Sequence, residues 1–331
     1  MNFKYNYIIL GSEWDLYRHS YSDIISLPNV QYIAGPNRKP NSLMGYIYRF
    51  HFNSTINNVL NLPFKKIWNN YYFENIFKTD DNLCFLVFTN WLTLNIDILQ
   101  HLRKKYPNAK IVWMCQDLVS TQHLLFTNEL FNAKYFISQC DLAISFDPGD
   151  CEKYGFVYHS LVFSSENDNP NCSVHNDVYF LGKAKNRLLD IIQIYDKCQE
   201  LGLVCDFNIV GADNYIDSLY RPGIHYISGM TYEENLQHVK QTKCLLEIMQ
   251  KGGRGFTQRV CEAICYDKLL ITDNAEIANT LFYNPNYISI INGDNLDKEF
   301  VKTISSKKHI DYHFKDQISP ANLLSFIESR I

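Results

Sequence analysis

The sequence predicts an α/β protein of two successive domains, each a parallel sheet doubly wound by helices. Three observations carry that expectation. At 331 residues the chain exceeds the usual size of one domain. Short apolar runs alternate with amphipathic helical stretches, the rhythm of βα units. A stretch rich in Ser, Asn, Asp and Pro, FSSENDNPNCSVHND at 163–177, interrupts the rhythm, which then restarts. The expected layout is a first domain at 1–165, a linker at 166–176, a second domain at 177–315, and a C-terminal helix at 316–331 packing back toward the first domain.

Taken in order, YNYIILGSE (5–13) is a short buried strand ended by Gly11, and NVQYIAGPN (29–37) is a second with a Gly-Pro stop. Residues 42–77 are aromatic, and Pro63 divides them into more than one helix. NLCFLVFTNW (82–91) is the most strand-like run of the first half. LNIDILQHLRKKYPNAK is an amphipathic helix stopped before Pro107, and KIVWMCQD (110–117) is another strand. YFISQCDLAISFDPGDCEKYGF supplies helix, strand and a helix start after Asp147. Beyond the linker come strands VYFLG (178–182), CDFNIVG (205–211), IHYIS (224–228), CLLEIM (244–249), KLLITDN (268–274) and YISII (287–291). Helices are expected at 187–202, 231–241, 257–265 and 275–282, and Ser319 caps a last one with Pro320 at its first position. Two such domains bind ligands in a cleft between the carboxyl ends of their sheets.

Hydrophobic residues make up 46% of the chain and charged residues 20%, a globular balance that excludes disorder. A net charge of -4 argues against a nucleic-acid backbone as partner. Residues 1–75 nonetheless hold a mild excess of Lys and Arg over acids. Within 38–73, YIYRFHFNSTINNVLNLPFKKIWNNYYF interleaves apolar and basic residues; it reads either as core-packing helices or as a peripheral membrane contact. The cysteines form no C-x-x-C pair and read as small buried hydrophobes of a reducing compartment. No run approaches the ~18 apolar residues of a membrane span. A cytoplasmic protein is expected, at most peripheral on the inner membrane face.

The stretch KGGRGFTQRVCEAICYDKLLITDN (251–274) carries the chemistry. A helix starting near Thr257 exposes its first N–H groups and the positive end of its dipole, and glycines at 252, 253 and 255 let a ligand approach the backbone. Thr257 and Gln258 add donors, and Arg254 and Arg259 offer the bidentate contacts that phosphate favours. Glu262, further along the helix, suits a vicinal diol. The alternative reading is a tight turn, a Thr257 cap and an Arg259–Glu262 surface pair. In FLGKAKNRLLDII (180–192), Gly182 and Lys183 follow a strand and Arg187 opens the next helix. Neither loop holds G-x-G-x-x-G or G-x-x-x-x-G-K-[ST], which weakens a dinucleotide or P-loop reading.

The order VYFLGKAKNR, DFNIVG, IHYISGMTYEENLQHVKQTKCLLEIMQKGGRGFTQRVCEAICYDKLLITDN resembles the nucleotide-binding domain of GT-B glycosyltransferases, in particular those building bacterial capsule, lipo-oligosaccharide and exopolysaccharide. The resemblance covers about residues 177–292, with DLAISFDPGDCEKYGF (141–156) similar to the end of the family's first domain. It implies a GT-B fold of two Rossmann-like domains facing a central cleft. It also implies a UDP- or GDP-type sugar donor as substrate, no further cofactor, and a glycan or lipid-linked acceptor held by the first domain. Carried over by position, Gly182, Lys183 and Arg187 face the diphosphate or donor sugar. Thr257 and Gln258 bind phosphate and Glu262 binds ribose, while the loop around Met230 contacts the base. In the frame Arg254-Gly255-Phe256 through Glu262, Arg254 stands where many retaining members have Glu, which favours inversion and places a cation near the leaving diphosphate.

Inversion needs one general base, expected on the first domain's rim: Asp117 first, then Glu13 and Asp15. His19 and His123 are weaker seconds. HIDYH (309–313) and TDD (79–81) are the closest approaches to a metal motif, and neither has the right setting, so a metal-independent enzyme is expected. The rival readings are a Rossmann-type NAD-dependent oxidoreductase or epimerase, which ILGSEWD with its single glycine does not favour, and a two-lobed binding protein without catalysis.

Overall fold

The computed structural model describes residues 3–35, 43–60, 62–73, 76, 82–95, 97–125, 130–165, 173–212, 221–293, 295–305 and 309–331. Most of the expected linker (166–172), the TDD run and residues 38–42 of the basic segment lie outside the described residues. The chain divides into two compact units, one of residues 1–160 with 320–331 and the other of residues 161–319.

The first unit is a parallel sheet of β1 (Asn6–Gly11), β2 (Val30–Ala34), β3 (Leu83–Phe88), β4 (Lys110–Cys115), β5 (Leu142–Ser145) and β6 (Val157–Tyr158), in spatial order β2-β1-β3-β4-β5-β6. Every residue of β3, LCFLVF, is buried, as a central parallel strand covered on both faces requires. Leu86 and Val87 pair with Val112 and Trp113 of β4, and Trp91, Trp113, Phe85 and Phe136 fill one core cluster. The helix Pro148–Tyr154 begins as expected, with the Asp147 carboxylate accepting from Asp150 N–H at 3.0 Å and Pro148 in the first turn. The last helix, Pro320–Glu328, packs in this unit: Glu328 Oε1 accepts from Lys4 N–H at 2.6 Å, and Tyr7 Oη donates to Leu324 O at 3.3 Å.

The second unit repeats the plan with β7 (Asn176–Lys183), β8 (Cys205–Val210), β9 (Ile224–Ile227), β10 (Thr242–Glu247), β11 (Leu269–Thr272) and β12 (Ile288–Ile290), in order β12-β11-β10-β7-β8-β9. All five pairings are parallel. Its core gathers Val178, Phe180, Ile191, Phe207 and Ile271. A full capping box opens the helix Tyr232–Lys240, where Thr231 and Glu234 satisfy each other's backbone donors. The segment expected as a helix at 275–282 is a shorter 3-10 turn, Ala275–Asn279, capped by Asn274; its Ile277 is the residue anchored in the core.

Strand order reverses once in each sheet. In the first it turns between β1 and β3, and in the second between β7 and β10. Crevices outside the carboxyl ends of strands form at such points, where adjacent loops diverge to opposite faces.

Candidate functional site

The second unit's reversal brings together the two cationic loops that sequence reasoning singled out. After β7 the chain runs Ala184 to Arg187 into the helix Leu188–Glu200, and after β10 it runs through residues 248–257 into the helix Gln258–Cys265. The loops are tied across the point of reversal. Arg187 Nη1 donates to Ile248 O and Arg187 Nε to Lys183 O, while Lys185 Nζ donates to Gln250 Oε1 at 2.9 Å and Arg259 Nη2 to Leu181 O at 3.3 Å. Gly182 is required here, because a Cβ at that position would lie 2.8 Å from Arg187 Nη2 and 2.9 Å from the Phe180 ring. Burial pulls the Arg187 guanidinium below its ordinary range, and Asp273 and Glu247 pull it back. Lys183 is exposed at the end of β7.

Thr257 is the cap of the helix Gln258–Cys265, with its hydroxyl accepting from Arg259 N–H at 3.2 Å. Its own N–H and hydroxyl both donate to Glu247 Oε1, at 2.9 and 2.6 Å, and Thr272 Oγ1 donates to Glu247 Oε2 at 2.6 Å. Glu247 is a residue of this candidate site that sequence reasoning missed. It is fully buried at the end of β10, and burial raises its pKa although the Thr257 and Thr272 bonds oppose the rise. The available signal was an acid closing an otherwise apolar strand run, CLLEIM. Asp273 was missed too; it ends the neighbouring strand and accepts from Met249 N–H at 2.7 Å, fixing the start of the loop.

Arg259 and Glu262 face each other, and the pair is buried: the side chains are 10% and 2% exposed. This differs from the surface pair that their spacing alone suggests. Glu262 Oε1 also accepts from Tyr232 Oη at 2.7 Å and Asn235 Nδ2 at 2.9 Å, and Arg259 lies over the Tyr179 ring at 5.1 Å. Burial alone would depress the guanidinium, yet Glu262 holds it above its ordinary range. Met230 touches the same cluster, with its sulfur 3.7 Å from Tyr179 Oη. Phe256 is buried edge-on against Phe282 and Gly255 is buried beside it. Gln258 Nε2 reaches Val162 O at 3.5 Å, and Arg254 turns aside to Glu276 at 3.1 Å.

In the first unit, the reversal between β1 and β3 opens a cavity of about 250 Å³. Glu13 and Asp117, two of the three candidate bases, both line it. Asp15 lies in the first turn of the helix Asp15–Ser20 and lines a neighbouring hollow with Arg18 and Tyr32. Gly11 is required where β1 ends, since a Cβ there would collide with the Tyr32 ring, whose hydroxyl donates to Ser12 O at 2.8 Å and accepts from Ser12 N–H at 2.9 Å. Among the described residues, no three His, Cys, Asp or Glu side chains gather as a metal site.

No protein-family model matches the chain, and no curated protein matches it. Solved structures are similar to it. Methanocaldococcus jannaschii UDP-GlcNAc 2-epimerase, in complex with UDP-GlcNAc and UDP, matches with a TM-score of 0.51 and 15% identity over 97% of this chain and 99% of that one. The UDP-forming α,α-trehalose-phosphate synthase of Burkholderia xenovorans matches with a TM-score of 0.51 and 7% identity over 98% and 95%. For S. aureus TarM the TM-score is 0.46 at 10% identity over 80% of this chain, which spans 54% of that protein's length. The first two likenesses, each over nearly the whole of both chains, show the fold: two parallel six-stranded α/β domains in succession, the GT-B architecture.

Proposed function

We propose that the protein is a glycosyltransferase that moves a sugar from a nucleoside diphosphate to a hydroxyl of a glycan or lipid-linked acceptor, of the kind bacterial surface polysaccharide synthesis requires. The observation that carries this reading is the convergence of Lys183, Lys185, Arg187 and Arg259 on the β7/β10 reversal, beside the start of the helix Gln258–Cys265. Cations and a helix N-terminus together suit a pyrophosphate. The second unit takes the donor and the first takes the acceptor. In the inverting form of the reaction, Asp117 accepts the acceptor hydroxyl's proton as that oxygen bonds to the anomeric carbon. The bond from that carbon to phosphate breaks, and its electron pair leaves with the diphosphate, which the cations stabilise. Glu13 and Asp15 are the alternative bases.

Thermal unfolding with UDP, GDP, CMP and NAD tests the assignment. UDP or GDP at ~100 times its dissociation constant should add ~2.7 kcal/mol of stability. The two similar structures whose names carry UDP make it the first ligand to try. Stabilisation by NAD alone would sink the assignment.

Peripheral contact with an anionic membrane belongs to the same reading and rests on the first unit. No Asp or Glu occurs from residue 24 to 73, while Arg38, Lys39, Arg49, Lys65 and Lys66 do. Leu43, Ile47 and Phe50, spaced i, i+4, i+7 on the helix Leu43–His51, are exposed, as are Phe64 and Ile67. His51 joins the two segments, its Nε2 lying 2.6 Å from Pro63 O and its Nδ1 accepting from Trp68 Nε1 at 3.0 Å. Among the described residues no helix is long and apolar enough to cross a membrane. At low salt the protein should float with phosphatidylglycerol vesicles and not with phosphatidylcholine ones, and Ile47→Ser with Phe50→Ser should abolish flotation. Equal recovery with both vesicle types would contradict the electrostatic part.

A further inference from the structure

The cavity at the β1/β3 reversal has an uneven balance of charge. Its wall contains two carboxylates, Glu13 and Asp117, and, among the described residues, no Lys, Arg or His. Three of the uncharged donors around it are already committed to the protein. Asn90 Nδ2 donates to Gly35 O at 2.6 Å and Gly11 O at 3.3 Å, Thr93 Oγ1 to Asn90 O at 3.1 Å, and Gln122 Nε2 to Leu118 O at 3.4 Å. Gln116 Nε2, by contrast, is buried without a hydrogen-bond partner and remains as a donor beside the cavity. The two donations by Asn90 fix which way its amide is turned, and its Oδ1 is left buried without a protein partner. The wall is therefore negatively charged, and its complement is a ligand that carries donors and no anionic group. One side is apolar: Trp14, Leu94 and Leu125 line it, and Trp14 is 65% exposed. A flat indole beside acceptors suits the C–H face of a sugar ring, whose hydroxyls then point to the carboxylates.

We infer that this cavity selects the acceptor by charge. It takes an uncharged or ammonium-bearing sugar terminus and turns away one bearing phosphate or carboxylate. A phosphate brings oxygens that only accept, and no cation among the described residues of the wall answers its charge, while Glu13 and Asp117 repel it. The inference deepens the transferase reading and rests on it only in naming the cavity's occupant as the acceptor.

The molecule carries its own reporter. Of its four tryptophans, Trp68, Trp91 and Trp113 are buried, leaving Trp14 as the one that a solute quencher reaches. Acrylamide quenching and saturation-transfer NMR on the full chain, with methyl glucoside, methyl galactoside, glucosamine and glucose 6-phosphate as probes, decide the matter. The neutral and amino sugars should bind and shield Trp14, and the phosphate should bind roughly tenfold more weakly. Asp117→Asn with Glu13→Gln should bring the phosphate within about threefold of the neutral sugar, since both side chains are exposed and the change removes charge with little loss of shape. Equal binding of phosphate and neutral sugar by the unmodified protein overturns the inference. So does shielding of Trp14 by none of the four. UDP melting on the same preparation separates the two readings: a chain stabilised by UDP but blind to every sugar refutes the charge-selecting cavity alone. A chain that binds neutral sugars and ignores UDP and GDP refutes the donor assignment instead.

Discussion

Replacing Glu247 by Ala should lower the stability of the second unit by about 3–5 kcal/mol and abolish nucleotide binding. The side chain is the sole partner shown for three buried or half-buried donors: Thr257 N–H, the Thr257 hydroxyl and the Thr272 hydroxyl. Leaving such donors unsatisfied costs about 1–3 kcal/mol each, reduced where a hydroxyl finds another acceptor. For a unit of this size the loss should appear as a fall in Tm of about 10 °C. The functional effect follows from what the carboxylate holds. Thr257 begins the helix whose N-terminus faces the loops after β7 and β10, so freeing it lets the start of the helix fray. Thr257→Val, which loses the hydroxyl but keeps the N–H bond, should cost less, about 1–2 kcal/mol.

The same residue gives a pH signature. Glu247 has a folded pKa raised above its ordinary 4.5, first by burial. The folded state therefore holds the proton more tightly than the unfolded chain does. That contribution is complete below the unfolded pKa and disappears as pH rises through the folded one. Glu247→Gln keeps the shape and one acceptor but cannot titrate. The stability difference between the parent and this variant, measured by urea unfolding from pH 4 upward, should shrink steadily in the parent's disfavour. A difference that grows with pH would mean that Glu247 is ionised and stabilised in the fold.

What the sequence could reveal depended on whether a signal was local. The run LCFLVF identifies a doubly covered strand because burial on both faces suppresses alternation, and the structure has it at Leu83–Phe88. Asp147-Pro148 and Ser319-Pro320 mark helix starts because capping is a matter of adjacent residues. Strand β6, only Val157–Tyr158, was not foreseen; two residues carry no periodicity, and pairing with β5 alone creates the element. The two cationic loops were legible at the ends of their strands, while the bonds that join them depend on the reversal of strand order, which is a property of the sheet. Glu247 escaped for the same reason, since its three donors come from Thr257 and Thr272, ten or more residues away in the chain. Spacing i, i+3 identified the Arg259–Glu262 pair but could not say on which face of the helix it falls.

That burial makes the pair the sharpest probe of whether the β7/β10 crevice is a binding site or only a well-joined corner. Arg259→Met should cost about 3–5 kcal/mol, because it strands the Glu262 carboxylate in a place without solvent. Glu262→Gln should cost a similar amount by stranding the guanidinium, although its amide oxygen can still serve Tyr232 and Asn235. Combining the two removes both charges and leaves a methionine stem over the Tyr179 ring, so the double variant should regain most of the lost stability; residues in direct contact are not additive. Stability and binding then part company. If the guanidinium and carboxylate serve a nucleotide's phosphate and ribose, the double variant melts near the parent temperature yet gains no stability from UDP or GDP. If they serve only the corner, the recovered fold brings the ligand shift back with it, and the second unit's anion site must lie with Lys183, Lys185 and Arg187 alone.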